Sequence, residues 1–210
     1  MNNLKIKNLT ATSLTAILMA AATLFAAACN SAAPPRGIEE ARNSASAQSA
    51  QKSIPARDQQ AIESASNVQI TKLDGGTFKL SDYRGKVVVV DFWATFCPPC
   101  VRQVPRLAEL SKKYRDQGLE VVGLTADPES DQQKVVDFLK RAGADYTTGY
   151  DNRWLSDAFL KATEDESGDP PIPQLFVISR EGRVVEHMIG ETPGGMKQLE
   201  QVVSQQLASR

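Results

Sequence analysis

At 210 residues, with Lys+Arg 24 against Asp+Glu 25, a formal net charge of −1 and 41% hydrophobic residues, the chain has the composition of a globular protein. That balance excludes a strongly basic nucleic-acid binder and an acidic disordered chain. Lys5 and Lys7 open the sequence, residues 9–28 are apolar or small, and Leu24-Phe25-Ala26-Ala27-Ala28-Cys29 closes the segment. A basic, then apolar, then small-residue order is that of an export signal, so residues after 1–29 are expected to work outside the cytoplasm.

Small residues directly before Cys29 resemble the end of a bacterial lipoprotein signal, which makes Cys29 the lipidation site and the protein a membrane-anchored lipoprotein facing the periplasm. Ala26 stands where Leu is commoner, so an uncleaved anchor and cleavage at an Ala-x-Ala site both stay open. Asn30 leans toward the outer membrane, with the inner membrane left open. Residues 30–66 are rich in Ala, Ser, Gln and Arg without sustained apolar periodicity, and read as a flexible tether. The alternative there is a short helix around Arg57 to Ala65.

Residues 67–210 are ample for one domain and too few for two. Val68-Gln69-Ile70 and Thr77-Phe78-Lys79-Leu80, about Gly75-Gly76, predict an N-terminal β-hairpin entering the sheet. Val87 to Phe92 reads as a buried strand and is followed by Cys97-Pro98-Pro99-Cys100, where a helix begins that ends at Gly118. A helix starting at Cys97 aims unpaired N–H groups and its positive dipole end at the sulfur, favouring thiolate. Cys100, one turn on, is placed to resolve a mixed disulfide formed by Cys97. Pro98 and Pro99 lack N–H groups, which limits the donors offered to that sulfur. A structural zinc site is the other use of this spacing, but it needs four ligands, and Cys29 and His187 are the only further Cys or His residues.

Leu119 to Thr125 predicts a second buried strand, which with the first strand and its helix makes a parallel βαβ unit. A helix follows from Ser130 to near Gly143, then a short strand at Tyr146 to Tyr150 and a helix from Arg153 to Ala162. Gln174 to Ser179 and Arg183 to Ile189 predict a closing hairpin, and Gly194 to Leu207 a final helix. Glu164-Asp165-Glu166 and Asp169 read as a solvated acidic loop near the expected substrate groove, where it would suit basic partners. His187 reads as a strand residue with one solvated edge, and Trp154 as core.

Trp93-Ala94-Thr95-Phe96-Cys97-Pro98-Pro99-Cys100, behind the valine run and Asp91-Phe92, resembles the active site of the thioredoxin superfamily, most closely the TlpA/ResA type of exported, membrane-anchored thiol-disulfide oxidoreductase. The resemblance implies an α/β thioredoxin fold with the hairpin, a central αβ insertion and a mixed sheet flanked by helices. It implies that Pro105 bends the active-site helix and that Pro173 is the cis-proline facing the cysteines. Ile172, Pro173, Trp93, Phe96, Pro98 and Pro99 would then contact the substrate, the backbone around Pro173 pairing with an incoming peptide. A trans proline-rich turn at Pro170-Pro171-Ile172-Pro173 is the reading without the family.

Asp91 matches the buried acid of thioredoxin, which moves a proton to and from the resolving cysteine. Many relatives of this type carry Asn there and an acid just after the motif, where this chain has Gln103. Asp91 is therefore expected to be the general base for Cys100, since burial raises a carboxyl toward neutrality. A strand-end Asp that only bonds backbone is the structural alternative. The resemblance implies a reductase of protein disulfides, with apocytochrome c or copper-delivery proteins as substrates and a membrane thiol-electron donor; no cofactor or metal is expected, and no basic patch suggests nucleic acid. Two rivals remain. A peroxiredoxin-like peroxidase lacks its Thr or Ser three residues before the cysteine, since Ala94 stands there, and a copper-binding module would use the cysteine pair with His187.

Overall fold

The computed structural model describes residues 56–151, 153–161 and 171–209. The export signal with Cys29, the tether up to residue 55, the acidic loop 164–169 and Pro170 lie outside the described residues. Ala56–Ser66 forms helix α1, the alternative to a flexible tether over these residues, so the tether reading does not extend to residues 56–66. Ile62 and Ala65, both at 0% exposure, anchor α1 in the core, and Ser66 caps the burial by donating its hydroxyl to the Ile62 carbonyl at 2.8 Å. The apolar signal there is Ile62 with three alanines among polar residues, too weak to read as amphipathic.

Strands β1 (Ile70–Thr71) and β2 (Thr77–Phe78) form the expected hairpin, but as a two-stranded sheet of their own. Then come a 3-10 turn (Leu80–Tyr83), β3 (Val87–Trp93), helix α2 (Pro98–Tyr114), β4 (Leu119–Thr125), α3 (Gln132–Ala142), β5 (Thr147–Tyr150) and α4 (Arg153–Lys161). The chain closes with β6 (Gln174–Ile178), β7 (Val184–Ile189) and α5 (Gly195–Ala208). The main sheet runs β5-β4-β3-β6-β7, with β3, β4 and β5 parallel to one another, β6 antiparallel to β3 and β7 antiparallel to β6. The hairpin only touches its edge, through a Lys72–Gly149 bridge and the Leu73 N–H donated to the Thr148 carbonyl at 3.1 Å. Each hairpin strand is two residues long, too short to extend the sheet.

Every residue of β3 is buried because both sheet faces are covered. Val87, Val89 and Trp93 join α2, α3 and α5 in one core; Val88, Val90 and Phe92 join Ile62, Leu155 and Phe159 in the other. Helix α2 runs unbroken through Pro105, and the chain leaves it through a 3-10 turn ending at Gly118, whose φ of 97° suits glycine.

Gly149 marks the closest approach of hairpin and sheet. A Cβ there would stand 2.7 Å from both Ile70 Cγ2 and the Thr71 carbonyl oxygen. Because one obstacle is backbone, Gly149→Ala is expected to destabilise the fold by about 1–3 kcal/mol, read as a lower urea midpoint at unchanged m-value.

Candidate active site

Strand β3 delivers the chain into the loop 94–96, and α2 takes over with Cys97 as its N-cap in extended conformation. Pro98 and Pro99 occupy the first helical positions, where a missing N–H costs little and a fixed φ suits the turn. The consequence is chemical. The backbone N–H aimed at Cys97 Sγ is that of Cys100, 3.3 Å away, so the dipole acts on the sulfur with few direct donors.

Cys97 and Cys100 form a disulfide with an S–S distance of 2.04 Å. The two sulfurs are not equivalent: Cys97 is 6% exposed and Cys100 0%. From the facing side, the Ile172–Pro173 peptide bond is cis, and the Ile172 carbonyl oxygen lies 3.6 Å from Cys97 Sγ. In the disulfide this is a contact only. In the reduced protein a Cys97 thiol would donate its proton to that carbonyl, which favours thiol and opposes the pull of the Cys100 N–H. The segment is held from behind, since Gln174 Nε2 donates to the Pro171 carbonyl at 2.9 Å while Gln174 Oε1 lies 2.8 Å from His187 Nε2. His187 stacks flat on Phe176 with ring centroids 4.2 Å apart, so in β7 it supports β6.

Asp91 is wholly buried on β3. Gln103 Nε2, one turn beyond Cys100 on α2, donates to its Oδ1 at 3.0 Å; Oδ2 has no hydrogen-bond partner among the described residues. Loss of hydration pushes the Asp91 carboxyl up to about 8, against the smaller opposing effect of the Gln103 bond. Burial first, and the Asp91 charge second, push the nearby Tyr146 phenol up as well.

A family model described as Redoxin matches residues 59–203, more than half of the chain. The chain belongs to the Redoxin family. Among curated relatives, the thiol-disulfide oxidoreductase ResA of Bacillus anthracis is 35% identical over 127 residues, which cover 60% of this chain and 68% of that protein. ResA of Halalkalibacterium halodurans is 32% identical over 125 residues, 59% of this chain and 65% of that one. Among solved structures, a thiol:disulfide interchange protein of the thioredoxin family from Chlorobium tepidum superposes with a TM-score of 0.58 at 25% identity, covering 67% of this chain and 93% of that one. A secreted thiol-disulfide isomerase from Corynebacterium glutamicum shares the fold, with a TM-score of 0.56 at 23% identity over 67% and 83% of the two chains. This Redoxin-family chain is thus a thioredoxin-fold thiol-disulfide oxidoreductase of the TlpA/ResA type.

Within that Redoxin-family site, the side chains singled out from the sequence divide by depth. Phe96 is 63% exposed beside the disulfide, Pro98 is exposed and Ile172 half-buried, while Pro173 is buried. Trp93, expected to touch substrate, is fully buried against Phe138 with centroids 5.4 Å apart. It reaches a ligand only as part of the wall of a cavity of about 390 Å³ that Phe96, Ile172 and Phe176 also line. Trp154, read as core, is 54% exposed, because α4 turns Leu155 and Phe159 inward instead.

One site residue of the Redoxin-family chain was missed by sequence reasoning. Asp127, 3% exposed after β4, accepts from the Thr95 N–H and the Thr125 hydroxyl at 2.7 Å each through Oδ2, and from the Thr95 hydroxyl through Oδ1. Its own N–H donates to Thr125 Oγ1 at 3.2 Å. The available signal was Thr125-Ala126-Asp127 at the end of an apolar run, which reads as an ordinary turn out of a strand.

Proposed function

We propose that the protein is an extracytoplasmic, membrane-anchored reductase of protein disulfides. The observation that carries this reading is the Cys97–Cys100 pair at the N-terminus of α2, facing the Ile172 carbonyl. The Cys97 thiolate attacks one sulfur of a substrate disulfide; a mixed disulfide forms, and the departing substrate thiolate takes up a proton. Asp91 accepts the Cys100 proton, Cys100 attacks Cys97 Sγ, and the second substrate thiolate leaves. Two electrons pass to the substrate and Cys97–Cys100 is left oxidised, to be reduced again by an external dithiol.

Ile172 and Pro173 offer backbone to an extended peptide, and Phe96, Pro98 and Pro99 supply apolar contact around the sulfur. The relatives named ResA support this chemistry, and the basic–apolar–Cys29 leader supports export and lipidation. Among the described residues no helix is long and apolar enough to cross a membrane, so in this reading the anchor is Cys29 or the leader itself. Apocytochrome c haem-site cysteines and the cysteines of copper-delivery proteins are the substrates proposed, with a membrane thiol transporter as electron donor.

The deciding experiment is the reduction potential of Cys97–Cys100 in the full chain, by equilibration with dithiothreitol or glutathione buffers. A value near thioredoxin's, about −270 mV, supports a reductase; one near DsbA's, about −120 mV, recasts the protein as a disulfide donor. Phe96→Ala tests the docking surface. Its expected effect is a loss of about tenfold in kcat/KM toward a protein disulfide, carried by KM, at unchanged thermal stability, because the ring is exposed and packs little of its own core.

A further inference from the structure

Thr95 lies two residues before Cys97, and both of its polar hydrogens go to one carboxylate. Asp127 takes the Thr95 N–H at 2.7 Å and the Thr95 hydroxyl, while Thr125 donates a third hydrogen bond at 2.7 Å. The loop is thereby tied to the end of β4, a strand that pairs with β3 along its whole length. Beyond the clamp the loop has one backbone bond of its own, from the Cys97 N–H to the Ala94 carbonyl at 3.3 Å. It turns Phe96 outward and seats Cys97 Sγ between the Cys100 N–H and the Ile172 carbonyl.

All three hydrogen-bond donors facing Asp127 are neutral, so they orient its negative charge without cancelling it. The cation nearest to it is Lys134 of α3, with Nζ 4.0 Å from Oδ1; 55% of the Lys134 side chain is exposed and it also reaches Asp131 at 3.4 Å. Water therefore screens the lysine far more than the carboxylate, whose side chain is at 0% exposure. A fixed negative charge held on the loop that carries the attacking sulfur, at Thr95 two residues before Cys97, disfavours its thiolate. In this fold a less stable thiolate makes a better electron donor, since strong oxidants are those whose reduced form is stabilised.

We propose that Asp127 is a positioning residue of the redox centre: it holds the Cys97 loop through Thr95 and, by its charge, disfavours the Cys97 thiolate, poising the pair to reduce its partners. The inference rests on the reading of Cys97 as the attacking sulfur and names what sets its reactivity. Asp127→Asn keeps the shape and an oxygen for the Thr95 N–H while removing the charge. Lys134→Met removes the screened opposing charge from an exposed site and leaves the loop clamp in place.

The test is the pH dependence of Cys97 alkylation by iodoacetamide in the reduced full chain, followed on the Cys97 peptide by mass spectrometry. Asp127→Asn is expected to move the midpoint down, with about a tenfold larger ionisation constant. Lys134→Met is expected to move it the opposite way, by about twofold at low ionic strength and by less at high salt. Opposite displacements support the proposal. Midpoints that stay put, or move in the same direction, overturn it, and if Asp127→Asn does not fold, the sign and salt dependence of Lys134→Met decide. Should Cys97→Ser abolish exchange while both variants leave the titration unmoved, the nucleophile stands and this inference alone falls.

Discussion

Cys100→Ser is expected to turn the protein into a trap. The first attack needs only the Cys97 sulfur, which keeps its place at the helix N-cap and a residual 6% exposure. The second attack needs a thiolate one turn along, and serine does not supply one. Incubated with a protein disulfide, the variant should accumulate a covalent complex on a non-reducing gel, released by dithiothreitol and mapped to Cys97 by peptide mass. Cys97→Ser should give no complex and lose about a thousandfold or more in turnover, since it removes the reacting atom itself. The burial difference fixes the direction of the experiment: with Cys100 at 0% exposure, a substrate sulfur has no approach to it. A complex mapped to Cys100 instead would reverse the roles.

The second large effect concerns Asp91. Burial pushes its carboxyl up to about 8 in the folded protein, far above the ordinary value of 3.8. Between those values the native state holds a proton that the unfolded chain has released, so stability falls as pH rises from about 4 to about 8 and levels beyond. This is the reverse of a salt-bridged carboxylate, which stabilises above its unfolded pKa. The groups shown to face Asp91 are Gln103 of α2, through its hydrogen bond, and Tyr146 ahead of β5, through its charge; neither brings a positive charge to reverse the sign. Asp91→Asn should therefore flatten the pH dependence and stabilise the protein at pH 8 by several kcal/mol, on the order of 5. Urea melts across pH 4 to 9 measure it, and an unchanged slope would place the titration elsewhere. If Asp91 also serves Cys100, the same variant slows the resolving step by about a hundredfold while leaving the first attack alone, a rate loss beside a stability gain.

Much of this was legible in the sequence because strong local signals coincided. The valine run of β3 is buried on both faces and reads as such, and the strand-to-helix switch at Cys97 is marked by two prolines that suit a first helical turn. Gly118 and Gly143, both in the left-handed region, end helices where expected. Side-chain depth was less accessible. Trp93 shares the α2 side of β3 with Asp91 and is sealed there, a fact set by what packs above it and not by its neighbours in sequence. Gln103 could be noted as a departure from the family pattern, but that its amide closes on Asp91 depends on how α2 lies across the sheet. Helix α1 carries too few apolar residues to announce that it docks, and Asp127 looks like any acid after a strand until the Thr95 loop folds onto it.

The site draws its halves from opposite ends of the domain. Cys97, Cys100 and the cap belong to one strand–helix turn, whereas the Ile172 carbonyl arrives 75 residues later on the approach to β6. The attacking sulfur and its helix cap are therefore carried by a short stretch of chain, while the proposed docking of a protein partner on the Ile172–Pro173 backbone is a long-range property that needs β6 paired with β3. During synthesis the two emerge in that order. A chain caught between them would be a competent but indiscriminate thiol, and injuries that loosen the β3–β6 seam should cost this protein its selectivity before its chemistry.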